Sequence, residues 1–114
     1  MVYRIRLEDN SNKQTISEDY QSDAMTDAVN AFINEFDLLD YISLPYTMRK
    51  KAVLNSSPTH PNGSNMRSYR RVSEDIFLNV DLSGRTKMSQ IRRMASDCDI
   101  IVSFEGWPTY KRES

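Results

Sequence analysis

Residues 23–36 read DAMTDAVNAFINEF, with apolar side chains at the i, i+3, i+4 spacing of a helix. That spacing gives a helix one continuous apolar face, which predicts a buried amphipathic helix. The face consists of Met25, Ala28, Val29, Phe32, Ile33 and Phe36. Ser22 or Asp23 is the predicted N-cap. We expect the pattern to persist to Leu39–Tyr41 and to end before Pro45, because proline disfavours helical geometry in the residue before it.

Alternation of apolar and polar residues predicts strands on both sides of this helix. Tyr3, Ile5 and Leu7 alternate with charged residues in 2–8, and residues 13–18 return as a second strand after a polar turn. Further short strands are predicted at 51–55, 76–81 and 100–105. A second helix is predicted between the last two strands, capped by Ser83 or Thr86, with Cys98 buried as a small apolar residue.

The predicted order β-β-α-β-β-α-β indicates an α+β fold. We expect a two-layer sandwich in which one sheet of four to five strands carries both helices on one face. A chain of 114 residues fits one domain. It divides into an acidic half (1–55), a polar loop (56–69) and a basic half (70–110). The loop contains two prolines and the turn pair Asn62-Gly63, which predict irregular structure.

The charge is unevenly distributed along the chain. Residues 1–47 carry three basic and nine acidic side chains, whereas residues 48–114 carry twelve basic and seven acidic ones. Such a division can give a small protein an acidic face and a basic face. A single cysteine excludes an internal disulfide and favours the reducing cytoplasm. No apolar run approaches the roughly 20 residues of a membrane span, and the alternating N-terminus is not typical of a signal peptide.

Basic side chains of the second half cluster in three stretches, one of them interleaved with a tyrosine. This composition suits phosphate contacts combined with stacking on a base. We therefore predict a non-enzymatic regulatory or accessory protein that binds DNA or RNA. The predicted contact residues are Arg49, Lys50, Arg67, Tyr69, Arg70, Arg71, Asn79, Arg85, Lys87 and Arg92.

The segment 77–94 resembles the strand–turn–helix of the SeqA DNA-binding domain, which has a Thr-Asn-Thr-Asn-Thr-Gly-Arg-Lys type of turn. In that family the turn approaches DNA and reads methylated adenine in GATC sites. The resemblance implies that Asn79, Asp81, Gly84, Arg85 and Lys87 are the counterparts, with one residue inserted before the lysine. Asp81 replaces an asparagine of the family. Separately, residues 44–63 resemble small uncharacterised proteins of archaeal plasmids and viruses, which implies no activity.

Two other classes of function stay open. The chain could be a protein-binding modulator or a homodimeric module, with the acidic helix face or Trp107 at the interface. It could also be a metal-dependent nuclease that uses carboxylates among Asp75, Asp81, Asp97, Asp99 and Glu105. His60 lies in the loop without a partner that would mark it as a general base. One histidine and one cysteine do not make a zinc site, so no cofactor, metal site or catalytic residue is predicted.

Overall fold

The computed structural model describes residues 2–108. In chain order the elements are β1 (Tyr3–Glu8), β2 (Lys13–Glu18), α1 (Gln21–Glu35), a short 3-10 helix (Leu38–Asp40), β3 (Tyr46–Met48), β4 (Lys51–Asn55), β5 (Tyr69–Arg71), β6 (Phe77–Asn79), α2 (Gly84–Asp97) and β7 (Ile101–Glu105). The strands form two antiparallel sheets, β2-β1-β7 and β3-β4-β6-β5. The fold is therefore α+β, as predicted.

The first sheet has one apolar and one polar face. Ile5 and Leu7 of β1 are fully buried, whereas Arg4 and Arg6, which alternate with them, are exposed, as period-two alternation requires. The turn between β1 and β2 is closed by Asp9, whose carboxylate accepts hydrogen bonds from the backbone N–H groups of the two residues before β2. These bonds hold the pKa of Asp9 below its usual value.

Helix α1 contains the predicted buried face but differs at both ends. Met25, Ala28, Val29 and Phe32 are fully buried. The N-cap is Tyr20, with no side-chain cap, so neither Ser22 nor Asp23 caps the helix. The helix ends at Glu35, because Asp37 adopts a left-handed conformation (φ 56°) before the 3-10 helix begins.

Helix α2 begins where it was predicted to begin. Ser83 is its N-cap, and its hydroxyl accepts a hydrogen bond from the Thr86 N–H. Met88, Ile91, Met94 and Ala95 are buried, and Cys98 follows them into the core. Burial raises the pKa of the Cys98 thiol to about 11, which fits the predicted role of a small buried apolar residue.

Each helix is bonded to one edge strand of the second sheet. At one edge, Arg70 of β5 pairs with Asp23 near the start of α1 at 2.7 Å. At the other edge, the Tyr46 hydroxyl of β3 donates to Asp97 at the end of α2, also at 2.7 Å. Because α1 also packs on β1 and β2, and α2 on β7, both helices lie in contact with both sheets.

The predicted single sheet of four to five strands is therefore wrong, since the strands form one sheet of three strands and one of four. Both sides of β1 are occupied, by β2 and β7, so the strands of the middle of the chain pair with one another instead. Two short strands, β3 and β5, were not predicted; β3 pairs with β4 and β5 pairs with β6.

The polar loop 56–69 is tied to β4. His60 Nδ1 accepts the Ala52 N–H at 3.1 Å, and the Asn55 side chain donates to the Thr59 carbonyl at 2.8 Å. An isolated bridge joins Thr59 to Asn65. The predicted irregular loop is thus a small folded-back hairpin in which His60 is a hydrogen-bond acceptor for the backbone. Within residues 2–108, neither helix has the length and apolarity to cross a membrane.

Candidate nucleic-acid interface

The register of the second sheet brings two distant basic stretches to the same end. Because β3 and β4 form a hairpin, its turn (Arg49 and Lys50) lies where β4 starts at Lys51. β6 runs antiparallel to β4, so the last residue of β6 lies at the end of the sheet where β4 starts. β5 runs antiparallel to β6 and begins at this end, shortly after Arg67. We call Arg49, Lys50, Lys51 and Arg67 the basic end.

Few carboxylates oppose the basic end. Arg67 is paired with Asp81 at 3.7 Å, and its side chain remains 87% exposed. Within residues 2–108, the three basic residues of the hairpin turn form no ion pair. Together with Met48 they line an open depression of about 410 Å³. An apolar floor with charges around it suits a flat ligand that carries negative charge.

Alternation along β5 separates its two arginines. Arg70 points to the helices and pairs with Asp23. Arg71 lies on the opposite face, where its guanidinium donates to the Glu74 carbonyl and lies 3.8 Å from Asp75. The acidic first half therefore neutralises Arg70, and a local turn engages Arg71.

Tyr69 is the exposed aromatic residue of this region. Its ring meets that of Phe77 edge to face, with centroids 5.7 Å apart and an interplanar angle of 74°. The contact fixes the orientation of the ring, while 46% of the residue stays exposed. The contribution of Phe77 could not be predicted from the sequence, because only the pairing of β5 with β6 brings its ring to that of Tyr69.

Two predicted contact residues lie in the interior. Asn79 is 3% exposed: its Nδ2 donates to the Ala52 carbonyl at 3.2 Å and its Oδ1 accepts the Asp81 N–H at 2.9 Å. Lys87 is 6% exposed, with its ammonium bound to the Leu82 carbonyl. Burial lowers the pKa of Lys87, although Asp81 partly opposes that effect. Neither side chain is presented to a base or a phosphate.

The arginines of α2 are exposed, and two of them contact strands of the two sheets. Arg85 is exposed in the first turn of the helix. Arg92 places its guanidinium 4.8 Å from the centre of the Phe104 ring. Arg93 covers Tyr46 at 4.0 Å and donates to the Thr47 carbonyl at 2.6 Å. Arg92 and Arg93 therefore also hold the helix to its neighbours.

The carboxylates considered for metal binding are dispersed. Asp97 accepts from Tyr46, Asp81 pairs with Arg67, and Glu105 lies between Arg4 and Arg6. In the part of the chain that the structure describes, no group of three or more His, Cys, Asp or Glu residues is arranged to hold a metal ion.

Trp107 is a core residue in this structure. It is 5% exposed and lies edge to face with Tyr3 and Phe104. It therefore closes the core and does not form an exposed contact.

Comparison with family models, with curated proteins and with solved structures finds no match for this chain. The resemblances to SeqA and to archaeal plasmid and virus proteins remain predictions.

Proposed function

We propose that this chain is a non-enzymatic nucleic-acid-binding protein, with an accessory or regulatory role, that contacts phosphates through the basic end of its second sheet. The observation that supports the proposal most directly is the strand register, which gathers Arg49, Lys50, Lys51 and Arg67 from two stretches of sequence. Lysine and arginine supply most of the affinity for a phosphate backbone.

The local balance of charge also favours this surface. Among residues 2–108, the one carboxylate paired there is Asp81, which lies 3.7 Å from a highly exposed Arg67. Exposed ion pairs of this kind contribute little, about 0–1 kcal/mol. A phosphate can therefore replace Asp81 as the partner of Arg67 at little cost.

The two alternatives have less support among the described residues. A protein interface centred on Trp107 would need that side chain exposed, and it is buried. A nuclease centre would need grouped carboxylates, and those of residues 2–108 are dispersed. Self-association through another surface stays an alternative proposal.

The test is a mobility-shift titration with single- and double-stranded DNA and RNA at about 50 and about 200 mM salt. Binding should weaken steeply with salt. Lys51→Ala, Arg67→Ala and Arg49→Gly should each weaken binding and reduce the salt slope by about one. Glycine is chosen at position 49 because Arg49 has a φ of 57°, which glycine adopts without strain.

Two matched variants serve as controls. Lys13→Ala removes an exposed lysine from the first sheet, and Arg70→Ala removes an arginine that is paired with Asp23. Both should bind as the parent does. The proposal would be refuted if all the variants bound as tightly as the parent, or if the parent did not bind at low salt.

A further inference from the structure

The β5 edge carries a tyrosine between two arginines. The β5–β6 ladder extends beyond Tyr69 through the hydrogen bond from Val80 N–H to the Ser68 carbonyl. Alternation within β5 places Tyr69 and Arg71 on the face opposite to that of Arg70, about 7 Å apart along the strand. Arg67 lies in the bend just before the strand and pairs with Asp81. We call Arg67, Tyr69 and Arg71 the row.

The row is accessible and its ion pairs are long, and the Arg71 guanidinium also donates to the Glu74 carbonyl through Nε and Nη2. The side chains of Arg67 and Arg71 are 87% and 64% exposed, and their carboxylate partners lie at 3.7 and 3.8 Å. Tyr69 is held in place by Phe77. An aromatic ring held in place between two exposed cations is complementary to a base flanked by phosphates.

We propose that this row binds single-stranded nucleic acid, with one unpaired base stacked on Tyr69 and the adjacent phosphates bound by Arg67 and Arg71. This inference rests on the proposed function and names its substrate class. A duplex hides the faces of its bases within the stack, whereas a single strand can offer a base to an aromatic side chain. Stacking of this kind is tolerant of sequence, because every base has a π-face.

The experiment measures fluorescence anisotropy of labelled oligonucleotides of about 12 nucleotides, as oligo(dT), oligo(U) and a DNA duplex of equal length. The parent should bind the single strands at least about ten-fold more tightly than the duplex. Tyr69→Ala should weaken single-strand binding by about ten-fold, in line with the loss of one stacked base. It should leave duplex binding unchanged.

Three further variants isolate stacking from folding. Tyr69→Phe keeps the ring and should retain binding, whereas Tyr69→Leu keeps an apolar contact with Phe77 but has no π-face and should behave as Tyr69→Ala does. Tyr41→Ala removes another exposed tyrosine, which lies beyond α1, and should have no effect. Thermal unfolding of each variant establishes that the binding differences arise in folded protein.

The outcomes separate this inference from the proposed function. Equal affinity for single strands and duplex, with Tyr69→Leu unchanged, would overturn stacking, while loss of binding in Lys51→Ala would still support the basic end. Failure of the parent to bind any oligonucleotide would overturn both. A preference for oligo(U) or for oligo(dT) identifies RNA or DNA as the source of the single strand, and either result supports the inference.

Discussion

Replacement of Asn79 by alanine distinguishes a structural role from base recognition. The resemblance to SeqA implies that this asparagine contacts DNA, whereas the structure buries it and satisfies both ends of its amide. Asn79→Ala leaves the Ala52 carbonyl and the Asp81 N–H without these partners. We therefore expect a loss of stability instead of a change in binding.

The magnitude follows from the two lost hydrogen bonds. A buried polar group left unsatisfied costs about 1–3 kcal/mol. The Ala52 carbonyl lies in the interior, whereas the Asp81 N–H is only partly buried, so we expect a total of about 3 kcal/mol. A domain of this size has a free energy of unfolding of about 6–17 kcal/mol. The loss is therefore a large fraction of the total stability.

Urea unfolding, followed by circular dichroism, measures this loss. With an m-value of about 1.5 kcal/mol/M, the midpoint should fall by about 2 M. Asn79→Asp should also be destabilised, since it lacks the amide donor and buries a charge. Asn10→Ala, at an exposed position in the β1–β2 turn, is the matched control. An unchanged midpoint for Asn79→Ala, together with about ten-fold weaker DNA binding, would refute the structural role.

Three other perturbations have expected outcomes. The hydrogen bond with Asp27, and the charge of Asp27, raise the pKa of Glu18 from 4.5 to about 7. Because the folded protein binds this proton more tightly than the unfolded chain, the free energy of unfolding should fall as the pH rises from about 4.5 to about 7. Asp27→Asn should remove that fall and raise the melting temperature at pH above 7 at low salt, as calorimetry would detect. Cys98, whose pKa is raised to about 11 by burial, should resist a thiol reagent in native protein near neutral pH and react on unfolding. Gly106→Ala should cost at least about 2 kcal/mol in urea unfolding, because φ is +82° and a Cβ would lie 2.1 Å from the Val2 carbonyl oxygen. Gly63→Ala, with φ +89° and open space around it, should cost only the conformational term of about 1 kcal/mol.

The helices could be predicted because their signal is local. The stripe from Met25 to Phe36 specifies the buried face of α1, and Ser83 has both the residue type and the position of an N-cap. The end of α1 could not be predicted, because it depends on a left-handed Asp37, a conformation that asparagine and aspartate adopt only in particular contexts.

The pairing of the strands could not be predicted from alternation. A period of two tells which residues share a face, but it does not identify the neighbouring strand. β7 pairs with β1 from the opposite end of the chain, and this pairing occupies the free side of β1. The middle strands consequently form a sheet of their own, and that sheet covers a second side of the helices.

The environment of Lys87 also differs from the one predicted for it. As a predicted nucleic-acid contact, Lys87 would have to be exposed. Here Lys87 and Gln90 are buried, and they lie on the same side of the helix as Asp97, which bonds to Tyr46 of β3. The ammonium of Lys87 binds the Leu82 carbonyl just before the helix, so an apparent surface cation is an interior one.

The same reasoning determines what the basic residues of β5 can do. Arg70 and Arg71 are adjacent in sequence and identical in charge, yet alternation directs the first to Asp23 and the second to the outer face. If only charge is considered, the two arginines are equivalent. Their positions in the strand differ: Arg70 holds the sheet against α1, and Arg71 belongs to the row that contains Tyr69. The proposed binding therefore depends on which face each cation occupies more than on how many cations there are. Loss of binding in Arg70→Ala, with Arg67→Ala and Arg71→Ala unaffected, would be incompatible with that division.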